Sequence, residues 1–264
     1  MTFWDWMTAN EEVLSPGKGL YCPLHICLMV CLFAWIVVSF FIFRKWQKFG
    51  KVFCLVTVII MLISRVFRMI FLACVQDVNI WSNLLPWHLC HIMCFVMGIL
   101  FLTKSKKFVT PVAIFAMIGS IMTFMFGDYY KYNVLTFLDI ESIVCHFMLC
   151  TVGMYYIATK KVSLTYKSVA ETAIFMLLLA CYAEVGNTIF KTTNFMFIRQ
   201  NGLPFKIFPG SHIFTYMLLF VLVYGSLFAV VAIKDAIKAK RLIPRTVKEK
   251  AKPVVDTEEV VKES

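Results

Sequence analysis

Residues 20–43 read LYCPLHICLMVCLFAWIVVSFFIF. No Asp, Glu, Lys or Arg interrupts the run. It exceeds the ~20 residues a helix needs to cross a bilayer and is far longer than the ~9–11 residues of a barrel strand. Polarity does not alternate along it, as it would in a strand with one face in lipid and one in a lumen. In lipid the backbone must satisfy its own N–H and C=O groups, so the run reads as a membrane-spanning α-helix.

Six further runs along the chain share this character. The sequence predicts seven spans, over 20–43, 52–75, 84–103, 108–127, 138–158, 168–190 and 207–233, in an all-α polytopic bundle. The composition agrees: 61% of residues are hydrophobic and only 16% charged, and the mean hydropathy is +0.80, more apolar surface than a water-soluble globule can hide. At 264 residues there is room for one bundle and for no second folded domain. The predicted organisation is an outer N-terminal segment (1–19), the bundle (20–233) and a basic, partly disordered tail (234–264). The residues before Leu20 carry Asp5, Glu11 and Glu12 against Lys18, and no small-residue cleavage site follows the first run, so nothing resembles a secretory signal peptide.

Orientation follows from the basic residues. Loops 44–51, 104–107 and 159–167 and the tail from Lys234 hold 19 of the 26 Lys and Arg residues. The positive-inside rule places these segments and the C-terminus in the cytoplasm and the N-terminus outside; the basic loop 191–206 is the exception. The net charge of +11 therefore reads as topology plus a tail that touches anionic lipid, and not as nucleic-acid binding. The expected partners are membrane lipids, a phospholipid substrate among them. No feature fixes an oligomeric state.

The five histidines open odd-numbered spans: His25 the first, His88 and His91 the third, His146 the fifth and His212 the seventh. Serpentine topology puts these starts on the outer side, so the histidines form a layer. Ionisable groups in lipid are costly and mark functional sites by default. Other polar residues gather at the same level: Arg65 and Arg68, three apart on one helix face; Asp139 and Glu141; Glu184 and Asn187, again three apart. Each also has a structural reading. His25 and His212 suit interhelical hydrogen bonds, Asp139 suits a helix cap, and the arginines suit ion pairs with Glu141 or Glu184. The ten cysteines contain no CxxC pair and read mainly as small apolar fillers. Pro23-x-His25-x-Cys27-xxx-Cys31 recurs as Pro86-x-His88-x-Cys90-xxx-Cys94, which suggests a duplicated hairpin.

Three chemistries fit this layer. In the first, a thiolate at Cys90, with His146 or His88 as base, attacks a lipid ester while Arg65 and Arg68 hold a head-group phosphate. Glu184, Asn187 and His25 are then the remaining candidate substrate contacts. In the second, His25, His88 and His146 form a zinc hydrolase site; no HExxH motif supports it, so neither a metal nor another cofactor is expected. In the third, the layer binds or transports a small polar or lipid ligand without chemistry.

Leu85-Pro86-Trp87-His88-Leu89-Cys90 resembles the LPLHLC signature that opens a helix in the YwaF-like family of bacterial integral membrane proteins. His25, Gly119, the stretch Asp139 to His146, and Thr193-Asn194-Phe195-Met196-Phe197 followed by Pro204 also resemble that family's pattern. The resemblance implies a multi-pass protein of the bacterial cell membrane. It further implies acyl chemistry, because the family is similar to a eukaryotic transmembrane acyltransferase of ether phospholipids and to the androgen-induced lipid-ester hydrolases. His146 matches the histidine base. The acyltransferase's cysteine directly precedes the third-helix histidine, a position occupied here by Trp87, which leaves Cys90, one turn further on, as the nucleophile.

Overall fold

The computed structural model describes residues 2–8, 15, 21–75, 85–106, 108–126, 133–191, 195 and 212–250. Among these, every regular element is helical: α1 (Phe3–Thr8), α2 (Pro23–Lys45), α3 (Gln47–Val75), α4 (Leu89–Leu102), α5 (Val109–Phe126), α6 (Phe137–Ala158), α7 (Tyr166–Phe190) and α8 (His212–Lys250). Six are long and apolar enough to cross a membrane, the stretch in α8 being Phe220–Ala239.

The third predicted span differs. The run 84–103 yields only the 14-residue helix α4, about 21 Å long at ~1.5 Å per residue. Its N-cap, His88, is extended (φ −84°, ψ 144°), and Pro86 disfavours helical backbone in Leu85 before it. α8 continues past Lys234, into the segment read as the basic tail, as far as Lys250. Residues 251–264 and most of 1–19 lie outside the described residues.

Helix boundaries follow local chemistry. Pro23 stands in the first turn of α2, where its missing N–H is no loss. Thr136 and Asp139 form a capping box at the start of α6, and Thr165 with Ser168 one at the start of α7. Lys104 and Lys160 adopt left-handed backbone (φ 54° and 57°) just after α4 and α6. In each case the following N–H returns to a carbonyl in the last turn, Ser105 to Leu100 and Lys161 to Tyr156. Lysine thus takes the position glycine usually holds and adds a cation at the negative helix end.

More than half of the α5 and α6 spans is buried (56% each), against 11–28% for the others, so these two helices form the centre. α6 packs against α1, α2, α3, α4 and α5, while α7 bridges from α5 to α8. Gly98 of α4 admits Leu62 of α3 so closely that a Cβ there would lie 2.9 Å from its methyl groups. The outer surface is studded with exposed Val30, Val37, Phe41, Ile63, Leu178 and Val221, the expected condition of side chains facing hydrocarbon. Thr57, Thr123, Thr151 and Thr172 satisfy their hydroxyls on the carbonyl four residues back, which removes the cost of a polar group in that setting.

Candidate functional site

The polar residues converge at one end of the bundle. The last turns of α3, the first turns of α4 and α6 and the end of α7 meet there, joined by Arg68 to the Leu138 carbonyl (3.1 Å) and by Trp87 against Tyr182. The start of α2 reaches the same end through His25 and the Phe124 carbonyl of α5. α1 caps it, with Trp6 Nε1 donating to the Leu135 carbonyl (2.8 Å).

Glu141 is the organising anion. It is 7% exposed and pairs with Arg65 Nη2 (3.2 Å) and Arg68 Nη1 (3.0 Å). It also accepts from Ser64 Oγ (3.0 Å) and from the Cys145 thiol (3.2 Å). Arg65, only 2% exposed, donates through Nε to Cys145 Sγ (3.3 Å). Cys94 lies against Cys145. Spacing explains the arrangement: Glu141 and Cys145 are four apart, so they stack on one face of α6 opposite the Arg65–Arg68 face of α3. Two guanidinium groups thus share one carboxylate. Arg68 Nε is buried with no partner among the described residues, and Arg65 Nη2, although ion-paired, makes no hydrogen bond there.

His146 sits one residue beyond Cys145 and is almost fully buried. Its Nδ1 lies 2.7 Å from the Ser142 carbonyl. A carbonyl can only accept, so Nδ1 carries the proton and Nε2 of the neutral ring presents a lone pair. That Nε2 is buried and has no partner among the described residues. The ring lies within electrostatic reach of Arg65, Arg68 and Glu141 and of His91. His91 lies 5.6 Å from the His88 ring, centroid to centroid, and lines a narrow recess with Arg65, Arg68, Leu72, Pro86 and Phe95. Cys90 lies in the first turn of α4, its sulfur against the backbone N–H groups of Cys90 and His91 and within reach of both arginines.

Trp87 plays a packing part. It stacks on Tyr182 (4.7 Å) and Phe195 (5.5 Å) and meets Phe190 edge-on. Phe195 also abuts the His88 ring (5.3 Å). Asn187 holds Phe195 in place: its Oδ1 accepts from the Phe195 N–H (2.6 Å) and its Nδ2 donates to the Phe195 carbonyl (3.2 Å). Glu184 lies 3.5 Å from the same Nδ2. Asn187→Ala is expected to cost about 1–3 kcal/mol, the penalty for unmaking buried backbone hydrogen bonds. Faster amide exchange at Phe195 is the measurement that checks it.

Of the residues singled out from sequence, His88, Cys90, Arg65, Arg68 and His146 are brought to this cluster. Asn187 and Glu184 stand behind Trp87 and Phe195. His25 is set apart: its Nδ1 accepts from the Tyr21 N–H (2.9 Å), and its Nε2–H donates to the Phe124 carbonyl (2.6 Å). Nδ1 thus fixes the start of α2, and Nε2 ties α2 to α5. Among the described residues no three His, Cys, Asp or Glu side chains are grouped so as to hold a metal ion, so a zinc site built from His25, His88 and His146 finds no support. The His212 side chain and, apart from Phe195, the whole of loop 192–206, including Thr193, Asn194, Met196, Phe197 and Pro204, lie outside the described residues.

Sequence reasoning left Ser64 out, read Cys145 only as an echo of the His–Cys repeat, and offered Glu141 only as one of two partners for the arginines. The signal available was the four-residue spacing of Glu141 and Cys145 facing the three-residue spacing of the arginines. The Pro–His–Cys–Cys repeat is not structurally equivalent in its two copies. Pro23 starts α2 and His25 lies inside it, whereas Pro86 precedes α4 and His88 is its N-cap. Cys27 and Cys31 are exposed on the bundle surface, while Cys90 is partly and Cys94 fully buried.

An all-helical bundle with six long apolar helices and a buried Arg–Glu–Cys–His cluster defines a multi-pass membrane protein embedded in lipid. The sequence model of the TMEM164 family, a transmembrane family, matches residues 20–232, and the chain belongs to that family. No curated protein and no solved structure matches it.

Proposed function

We propose that the protein is a thiol-dependent lipid acyltransferase or lipid-ester hydrolase. In this reading the bundle crosses the membrane seven times, with α4 as the short third crossing and the histidine-bearing end facing outward. Cys90 is the nucleophile and His146 the general base. His146 Nε2 takes the Cys90 thiol proton, and the thiolate attacks the ester carbonyl carbon of a phospholipid. The ester C–O bond breaks, the departing alkoxide takes the proton from His146, and the acyl group remains as a thioester on Cys90. A second lipid alcohol or water then attacks the thioester and regenerates the thiol. His91 lies within electrostatic reach of His146 and 5.6 Å, ring centroid to ring centroid, from His88. Both arginines lie within reach of Cys90 and of His146, and the resemblance of Leu85–Cys90 to the YwaF-like signature points to the same chemistry.

The observation that carries this reading is the His146 ring, whose Nδ1–H is fixed on a main-chain carbonyl and whose Nε2 is buried and has no partner among the described residues. A buried acceptor without a donor is costly and rare, and the orientation is the one a general base requires. The test uses purified protein in phospholipid nanodiscs containing an alkyne-tagged acyl chain. Hydroxylamine-sensitive labelling of the wild-type protein is expected, absent in Cys90→Ala and about 10²–10⁴-fold slower in His146→Ala. Undiminished labelling in both variants would overturn the assignment.

A further inference from the structure

We infer that the recess beside Arg68 binds a single negative charge carried by an amphiphile, and that Arg68 rather than Arg65 is the residue that holds it. The inference deepens the proposed function by naming the anchor of the substrate, and it stands on the charge count of the cluster. Among the described residues Arg65 and Arg68 share one carboxylate, Glu141, with which both are ion-paired. Cys145 does not supply the second anion: its sulfur lies 3.2 Å from Glu141 Oε1, and a thiolate that close to a carboxylate would be repelled, so the neutral thiol is the form that fits. Asp139, two residues before Glu141, is turned to the helix start, its Oδ2 accepting from the Thr136 N–H (2.9 Å) and hydroxyl (2.7 Å). The described cluster therefore carries one surplus positive charge in a low-dielectric setting, where an unbalanced charge is strongly disfavoured.

The two arginines are not equivalent. Arg65 is locked between Glu141 and Cys145, and its side chain is 3% exposed. The Arg68 side chain is 19% exposed, its Nε is unpartnered among the described residues, and it borders the recess. The guanidinium fork presents one edge to Glu141 and leaves the other for an oxyanion, a planar two-point geometry that suits phosphodiester or carboxylate oxygens. Arg65 and His91 are the other polar groups of the wall, and the rest of it is Met69, Leu72, Leu85, Pro86 and Phe95. Such a wall favours an anion attached to hydrocarbon over a hydrated free ion. The count of one selects a phosphodiester or a fatty carboxylate over a phosphomonoester dianion.

The experiment is native mass spectrometry of the intact protein released from vesicles of phosphatidylcholine containing oleate, with wild type, Arg68→Gln and Arg68→Lys side by side. One retained phospholipid or oleate per wild-type chain is expected. Occupancy is expected to fall about 10- to 100-fold in Arg68→Gln, the range for losing a charge-assisted hydrogen bond, with a smaller loss in Arg68→Lys, which keeps the charge without the fork. Retention of the phospholipid alone identifies the phosphodiester as the ligand, and of oleate alone the carboxylate; both support the inference. Equal occupancy in wild type and Arg68→Gln overturns it. So does displacement of the bound amphiphile by inorganic phosphate at the same concentration. Cys90→Ala separates this inference from the proposed function. A variant that keeps its amphiphile while a labelling-negative wild type shows no acyl transfer leaves the anion site standing and removes the enzyme. Acyl labelling that survives Arg68→Gln with unchanged lipid dependence does the reverse.

Discussion

Glu141→Gln is expected to destabilise the protein by about 3–5 kcal/mol, the cost of leaving buried charges without their partner. The carboxylate has four donors around it: Arg65, Arg68, Ser64 and Cys145. An amide of the same shape retains some of these contacts but leaves the two guanidinium groups of α3 side by side with no anion from α6 between them. Arg65→Met removes the opposite member of the cluster and is expected to cost clearly less, because Glu141 keeps its pair with Arg68 and the surplus charge disappears. Unfolding of both variants in one detergent, followed by the loss of helical signal, is the comparison that decides. Equal costs would contradict the charge count on which the anion site also rests.

Gly186→Ala is expected to destabilise, although the same change in an open helix stabilises by about 0.5–1 kcal/mol. A Cβ at Gly186 would lie 2.5 Å from Trp87 Cε3 and 2.8 Å from Cδ2 and Cζ3. The indole has little freedom to move, because Tyr182 and Phe195 stack on it and Phe190 closes its edge. Overpacking of this kind costs ~1–3 kcal/mol, and the rigidity of the surrounding rings places the expected value at the upper end. In a Trp87→Leu background the penalty is expected to vanish, since the clash is with the ring. A melting temperature for Gly186→Ala at or above wild type would show that the Trp87 sandwich yields more easily than its packing implies.

These two sites differ in how far they can be read from the chain. The ion cluster was half visible. The three-residue step from Arg65 to Arg68 declares a shared face, and a charge inside a span demands a partner, but two acids, Glu141 and Glu184, were equally eligible by sequence. Helix packing chose Glu141, because α6 and not α7 lies against α3. The Trp87 sandwich was not visible at all. Gly186 reads as an ordinary helical glycine, and nothing local links it to a tryptophan 99 positions earlier.

By itself the sequence determined that the protein is a helical membrane bundle, because a long apolar run leaves the backbone no other way to satisfy its hydrogen bonds in lipid. It also put the ionisable residues near helix ends, and the described ones meet at one end of the bundle. Tertiary structure decided which members of that layer act together. His25 and His146 are alike in sequence terms, each a histidine in the opening turns of a span, yet the carbonyl of Phe124 occupies His25 Nε2 and nothing described occupies that of His146. The rotation of each helix about its axis sets that difference. It depends on the shapes of all the neighbours at once, and periodicity along one segment does not encode it.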